Sequence, residues 1–277
     1  QTFGHRWLTV GTNGMVLMAR SAASGGLAYV AALNKYIYGF TYDNNGVDAT
    51  NDIDILAGGA MDSTGVYFIV GSAITKQLDA AWAVGNNAGG LDTGSIGNSD
   101  YYIWAIARSD TGVVDYLFSL SSTAPTMPTS YDFKRIIGFF RRRSAAIETF
   151  LTTEKAGGGL ALAWKVPSLD VDQAATLTTS ERTDALRVPL NFATWADVNI
   201  SISDVAASLN WFYTPGVTSA APSGTVAPLA DCQGIAGENR LIRRMILTSS
   251  TGTIAARSTV TVDNYRVVTL GFEWSRR

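Results

Sequence analysis

The chain has 277 residues, of which 47% are apolar and only 16% charged, with 27 glycines against 7 prolines. A net charge of −2 excludes bulk electrostatic attraction to nucleic acid. One cysteine (Cys232) and one histidine (His5) exclude an intrachain disulfide and a His- or Cys-based metal cluster, so no cofactor is expected.

Residues 1–35 are apolar runs punctuated by Gly4, Gly11, Gly14, Gly25 and Gly26, and read as an attachment or edge segment. The first six residues lack a basic stretch followed by an apolar one, so no secretory leader is expected. Arg20 and several Ser and Gly residues break the apolar stretch 15–30, which is not expected to cross a membrane. Residues 36–42, YIYGFTY, alternate as one strand with Tyr36, Tyr38, Phe40 and Tyr42 on one face. Residues 66–70 are β-branched and aromatic, a second strand.

Residues 75–84 carry Leu78, Ala81 and Trp82 at helical spacing, with Thr75 as cap and Gly85 as stop, which predicts a short helix. Strands follow at 102–107 and 113–120, joined by a turn at Asp110-Thr111-Gly112. The run Ala156-Gly157-Gly158-Gly159 marks a boundary between a first β-rich half, 36–156, and a second, 157–277. In that second half, 199–203 alternates as a strand, 204–209 is a weak helix candidate and 214–237 reads as a long loop. Strands at 245–248, 253–256, 258–262 and 266–272 complete the chain, with turns at 250–252 and 263–264.

Short strands spaced by turns predict an all-β fold, an antiparallel, jelly-roll-like β-sandwich with short helical insertions. Trp82 would anchor the first insertion in the core. Asp115 and Arg135, each expected in a strand, would lock two strands through a bidentate pair. Arginine outnumbers lysine 16 to 5, a bias that suits buried or interfacial pairing and equally follows from codon usage.

Asp52/Asp54 and Asp170/Asp172 have the i, i+2 spacing that places two carboxylates on one strand face, roughly 7 Å apart. That approaches a glycosidase pair. Asp also caps turns and meets water, and that reading is favoured, so no catalytic residue is expected. Trp195, Trp211, Phe212 and Tyr213 could present a sugar-stacking surface, but a core position is the favoured reading for Trp195 and Trp211. Two of Arg141, Arg142 and Arg143 must share a strand face.

Three groups of blocks carry a family resemblance. They are DIDILAGGAMDSTG (52–65) with ITKQLDAAWAVGNNAGGLDTG (74–94), GVVDYLFSLSSTAPTMP (112–128) with FKRIIGFF (133–140), and TGTIAARSTV (251–260) with VVTLGFEWSRR (267–277). In this order they resemble a domain of tailed-bacteriophage structural proteins, mostly tail-fibre or minor virion proteins. The resemblance implies a non-enzymatic virion component, assembled in the host cytoplasm as a homotrimer beside other virion proteins and contributing to host attachment. Rival expectations are a capsid decoration or collar protein, a lectin-like module binding a host surface glycan, and a glycan depolymerase.

Overall fold

The computed structural model describes residues 16–19, 27–30, 35–174, 177–204, 206–217 and 220–276. Most of the segment 1–35, His5 included, lies outside the described residues. Two of its strands are described, β1 (Val16–Ala19) and β2 (Leu27–Val30), paired antiparallel.

The chain is all-β. Its first half forms β3 (Ile37–Gly39), β4 (Tyr42–Asn44), β5 (Asp52–Ile55), β6 (Gly58–Met61), β7 (Phe68–Gly71), β8 (Ile74–Ala81), β9 (Ala88–Leu91), β10 (Asp100–Ala107), β11 (Val114–Ser119), β12 (Phe133–Arg143) and β13 (Ala146–Ile147). Eight of these make one sheet in the order β13-β12-β10-β11-β9-β8-β5-β4, and β3-β6-β7 make a small second one. Pairing is antiparallel except where β9 joins β8 and β11 in parallel. From Tyr101 onward β10 is buried on both faces, as expected of a central strand with a continuous apolar run.

The second half forms β14 (Phe150–Lys155), β15 (Gly159–Trp164), β16 (Leu169–Ala174), β17 (Arg182–Ala185), β18 (Trp195–Ser203), β19 (Ser208–Tyr213), β20 (Cys232–Gly234), β21 (Asn239–Leu247), β22 (Thr253–Ser258) and β23 (Asn264–Trp274). A six-stranded sheet runs β14-β15-β23-β18-β21, with β16 also on β23, and a four-stranded sheet runs β17-β22-β19-β20. Aromatic rings join the layers. Phe139 meets Phe272 edge-on at 5.9 Å between the two large sheets, and Phe212 stacks on Tyr265 at 6.0 Å between the six- and four-stranded sheets. The change from first to second large sheet falls between β13 and β14. The glycine run at 156–159 is the tip of the β14–β15 hairpin, around a single 3-10 turn, Ala156–Gly158.

Several expectations need correction. Residues 75–84 are not a helix: Ile74–Ala81 is β8, paired with β5 and β9. Its inward positions include 76 and 78, and a buried Lys76 at one of them hid the period of two. The helix proposed at 204–209 is also absent. Asp204 makes an isolated bridge to Ala236, and β19 starts at Ser208. No α-helix occurs among the described residues.

The strand expected over 36–42 breaks at Gly39 (φ 60°) and Phe40 (φ 50°). A β-carbon on Gly39 would sit 2.5 Å from the Ala57 carbonyl oxygen, so the kink requires glycine. Tyr36 and Tyr38 consequently stay exposed in the small-sheet region, while Phe40 and Tyr42 are buried. The strand expected at 258–262 ends at Ser258, where β22 stops.

Candidate functional site

The expected Asp115–Arg135 pair does not form. Asp115 lies opposite Ile106 and Arg135 opposite Ala105 on the intervening strand β10, and successive residues of a strand face opposite ways. Arg135 instead donates to the Arg276 carbonyl. Asp115 turns to Lys76, with Nζ 3.2 Å from Oδ1, and both side chains are fully buried. Trp82 is not a helix anchor. It follows β8, packs half-buried against the core with its ring edge-on to Tyr131, and its indole N–H donates to the Tyr116 carbonyl at 3.0 Å.

The carboxylate pairs lie at the opening ends of strands β5 and β16 rather than in loops. Asp54 accepts from Asn45 Nδ2 (2.7 Å) and Thr75 Oγ1 (2.6 Å), Asp170 accepts the Thr269 N–H (2.7 Å), and Asp172 pairs with Arg266 (2.7 Å). At Asp52, burial, then the charges of Asp48, Asp79 and Asp54, raise the pKa from 3.8 to about 6. The folded state therefore binds a proton more tightly than the unfolded chain. This contribution is fully present below 3.8 and is lost as pH rises through about 6. Asp52→Asn is expected to stabilise the protein at neutral pH, and that advantage should vanish in acid. Urea melts of both proteins across this range check it, and a pH-independent difference would contradict the assignment.

Arg141 and Arg143 share a face and both pair with Asp100, at 3.0 and 2.6 Å, whereas Arg142 donates to the Ala145 carbonyl. The two paired arginines line a polar groove of about 480 Å³ with Glu148, Asp170 and Arg187, and Arg187 is itself paired with Glu148. Among the described residues no cluster of three or more His, Cys, Asp or Glu side chains is arranged to hold a metal ion.

The aromatic residues separate. Trp211 and Tyr213 project from the same face of β19 with rings stacked at 3.8 Å, and the Tyr213 hydroxyl donates to Glu181 at 2.6 Å. Tyr213 is buried and Trp211 half-buried, so this stack presents little open ring face. Trp195 stands on β18 in the other sheet and is 50% exposed, which rules out the core position considered for it.

Among the described residues Trp195 heads a site-like surface, the outward face of the six-stranded sheet. Cross-strand register sets Trp195 beside Glu273 and Leu247, and Asp197 beside Gly271 and Met245. A groove of about 270 Å³ runs along Trp195, Leu160, Trp274 and the Lys155–Glu273 ion pair (2.7 Å). A second groove, about 400 Å³, shares Glu273 and continues over Ala161, Ala163, Gly271 and the Asp197–Arg243 pair. A β-carbon on Gly271 would come 2.1 Å from the Leu162 carbonyl oxygen, so only glycine keeps this floor flat. The surface thus combines one half-exposed indole, small residues and two partly exposed ion pairs. The alternation of 199–203 extends back to Trp195 and could have marked it as outward-facing. Grooves made by four or five separate strands have no local sequence signal.

No family model, no curated protein and no solved structure matches this chain.

Proposed function

We propose that this chain is a non-enzymatic structural component of a bacteriophage particle, a tail-fibre or tail-tip protein that contributes to host attachment by holding a surface glycan at Trp195. The observation that carries the binding part is the half-exposed Trp195 indole lining a groove beside the Lys155–Glu273 pair, which joins at Glu273 a second groove bordered by the Asp197–Arg243 pair. An aromatic face bordered by charged donors and acceptors suits a sugar ring, which presents C–H groups on one side and hydroxyls at its rim. The virion part rests on the resemblance of the sequence blocks and on an all-β chain of low charge, a composition suited to assemblies.

The test pairs a thermal melt with a glycan array. Trp195→Ala is expected to change stability by less than about 1 kcal/mol, because the ring is half in solvent. Array binding should weaken by roughly 2 kcal/mol, more than tenfold in Kd, as for a central aromatic contact. Undiminished glycan binding by the variant would overturn the Trp195 site. Immunogold labelling of intact particles tests the placement, and label on capsids would favour the decoration-protein alternative.

A further inference from the structure

β21 is nine residues long and forms a ladder on one side only, with β18. Among the described residues no backbone hydrogen bond leaves it on the other side. Long free edges are normally blunted by charge, and Arg240, Arg243 and Arg244 would serve. Each, however, is neutralised within the chain, by Glu238, Asp197 and Asp231 respectively. The outward side of the same strand exposes Leu241 (77%) and Met245 (39%).

We propose that β21 pairs with β21 of a second copy of this chain, antiparallel and centred on Arg243, to make one continuous sheet. The strand, NRLIRRMIL, is nearly self-complementary about that residue. Leu241 comes opposite Met245 of the second copy, twice, on the outward face. On the inward face Ile242 meets Arg244 and Arg240 meets Ile246, so no arginine faces another there. At the centre the two Arg243 side chains meet between two Asp197 carboxylates, a balanced set of four charges. Each Arg243 already grips its Asp197 through two hydrogen bonds, of 2.9 and 2.5 Å.

A two-fold axis perpendicular to the sheet keeps both outward faces on one side. Where the glycan reading above holds, the two Trp195 grooves then point the same way, and a pair of sites on one rigid sheet captures a repetitive polysaccharide more firmly than either alone. Such a contact makes dimers rather than the trimer implied by the family resemblance, so particle size separates the two.

The experiment uses the full chain with Cys232→Ser as background. Sedimentation velocity at micromolar concentration should show a dimer, and Leu241→Lys with Met245→Lys should convert it to monomer with an unchanged melt. Under mild oxidation Arg243→Cys should give a disulfide-linked dimer. Asn239→Cys should not, because its counterpart lies far outside the roughly 4.4–6.8 Å between Cα atoms that a disulfide spans. A monomeric chain, a trimer indifferent to the lysines, or equal cross-linking at both positions would each overturn the pairing. A dimer that binds no glycan would overturn only the proposed function.

Discussion

Asp115→Ala is expected to be among the most damaging single substitutions in this protein, costing about 3–5 kcal/mol of a stability on the order of 5–15 kcal/mol. The reason is the residue left behind. Lys76 has no solvent-accessible side-chain surface, and its Nζ lies 3.2 Å from Asp115 Oδ1. Apart from this carboxylate it has carbonyl oxygens, Ala83 at 2.6 Å and Gly85 at 3.4 Å, and the Trp82 ring at 5.6 Å. Without Asp115 an ammonium would remain buried with no counter-charge. The carboxylate also accepts the Gly85 N–H at 2.7 Å and the Tyr116 N–H at 2.6 Å, so its loss frees two further donors.

The melting temperature should fall by roughly 10 °C or more. Replacing both members by apolar residues, as in Lys76→Met with Asp115→Leu, should recover most of the loss, since desolvating two charges is itself expensive. Burial already pushes the Lys76 pKa below its ordinary 10.5 against the pull of Asp115. The unfolded chain therefore holds the lysine proton more tightly, and the stability tied to this group rises as pH climbs towards that value. Urea titrations of the single and double variants check the pairing. A loss under about 1 kcal/mol for Asp115→Ala would mean that Lys76 escapes to water.

Lys76 also shows which parts of the structure the sequence disclosed. Strands whose inward residues are apolar were legible: β10, β18 and β23 follow from their alternation or continuous apolar runs. β8 was not, because one of its inward positions is a lysine and its remaining apolar residues fall by coincidence at helical spacing. The same limit hid the Asp115 partner. Charge pairing depends on which face a side chain takes, and the facing residue came from a strand two places away across β9. Trp195 stands out in the sequence as an aromatic residue, yet its exposure depends on being in a sheet whose outward side is floored by Ala161, Ala163 and Gly271, residues that carry no signal of a surface. Kinks behaved similarly. YIYGFTY reads as one strand until the close approach of Ala57 forces Gly39 and Phe40 to positive φ and divides it between two sheets.

That kink leads to the other large effect, at Arg276. The residue lies two positions past β23 and is 2% exposed, yet its hydrogen-bond partners are carbonyl oxygens: Gly158 (2.9 Å), Phe40 (3.2 Å), Ile137 (3.3 Å) and Gly39 (3.0 Å). Its planar fork thereby fastens the Gly39–Phe40 kink, strand β12 and the β14–β15 hairpin tip together. Burial lowers its pKa to about 10, against the pull of Tyr42 and Glu154, so the guanidinium stays charged at neutral pH and its donors keep their full strength. Arg276→Ala would take the arginine donor away from four carbonyls, three of them in buried hydrogen bonds, and the expected cost is about 3–5 kcal/mol even with some water entering. Arg276→Lys should restore only part of it, since an ammonium on a flexible stem cannot span acceptors placed for a fork. The damage should be local first. Hydrogen exchange of backbone amides in β3 and β4 should accelerate before that of β10, because the kink is held from outside its own sheet. Exchange measured by mass spectrometry on both variants distinguishes this from a general loss of stability. Uniform acceleration across β3, β4 and β10, or none, would show that the kink holds without Arg276.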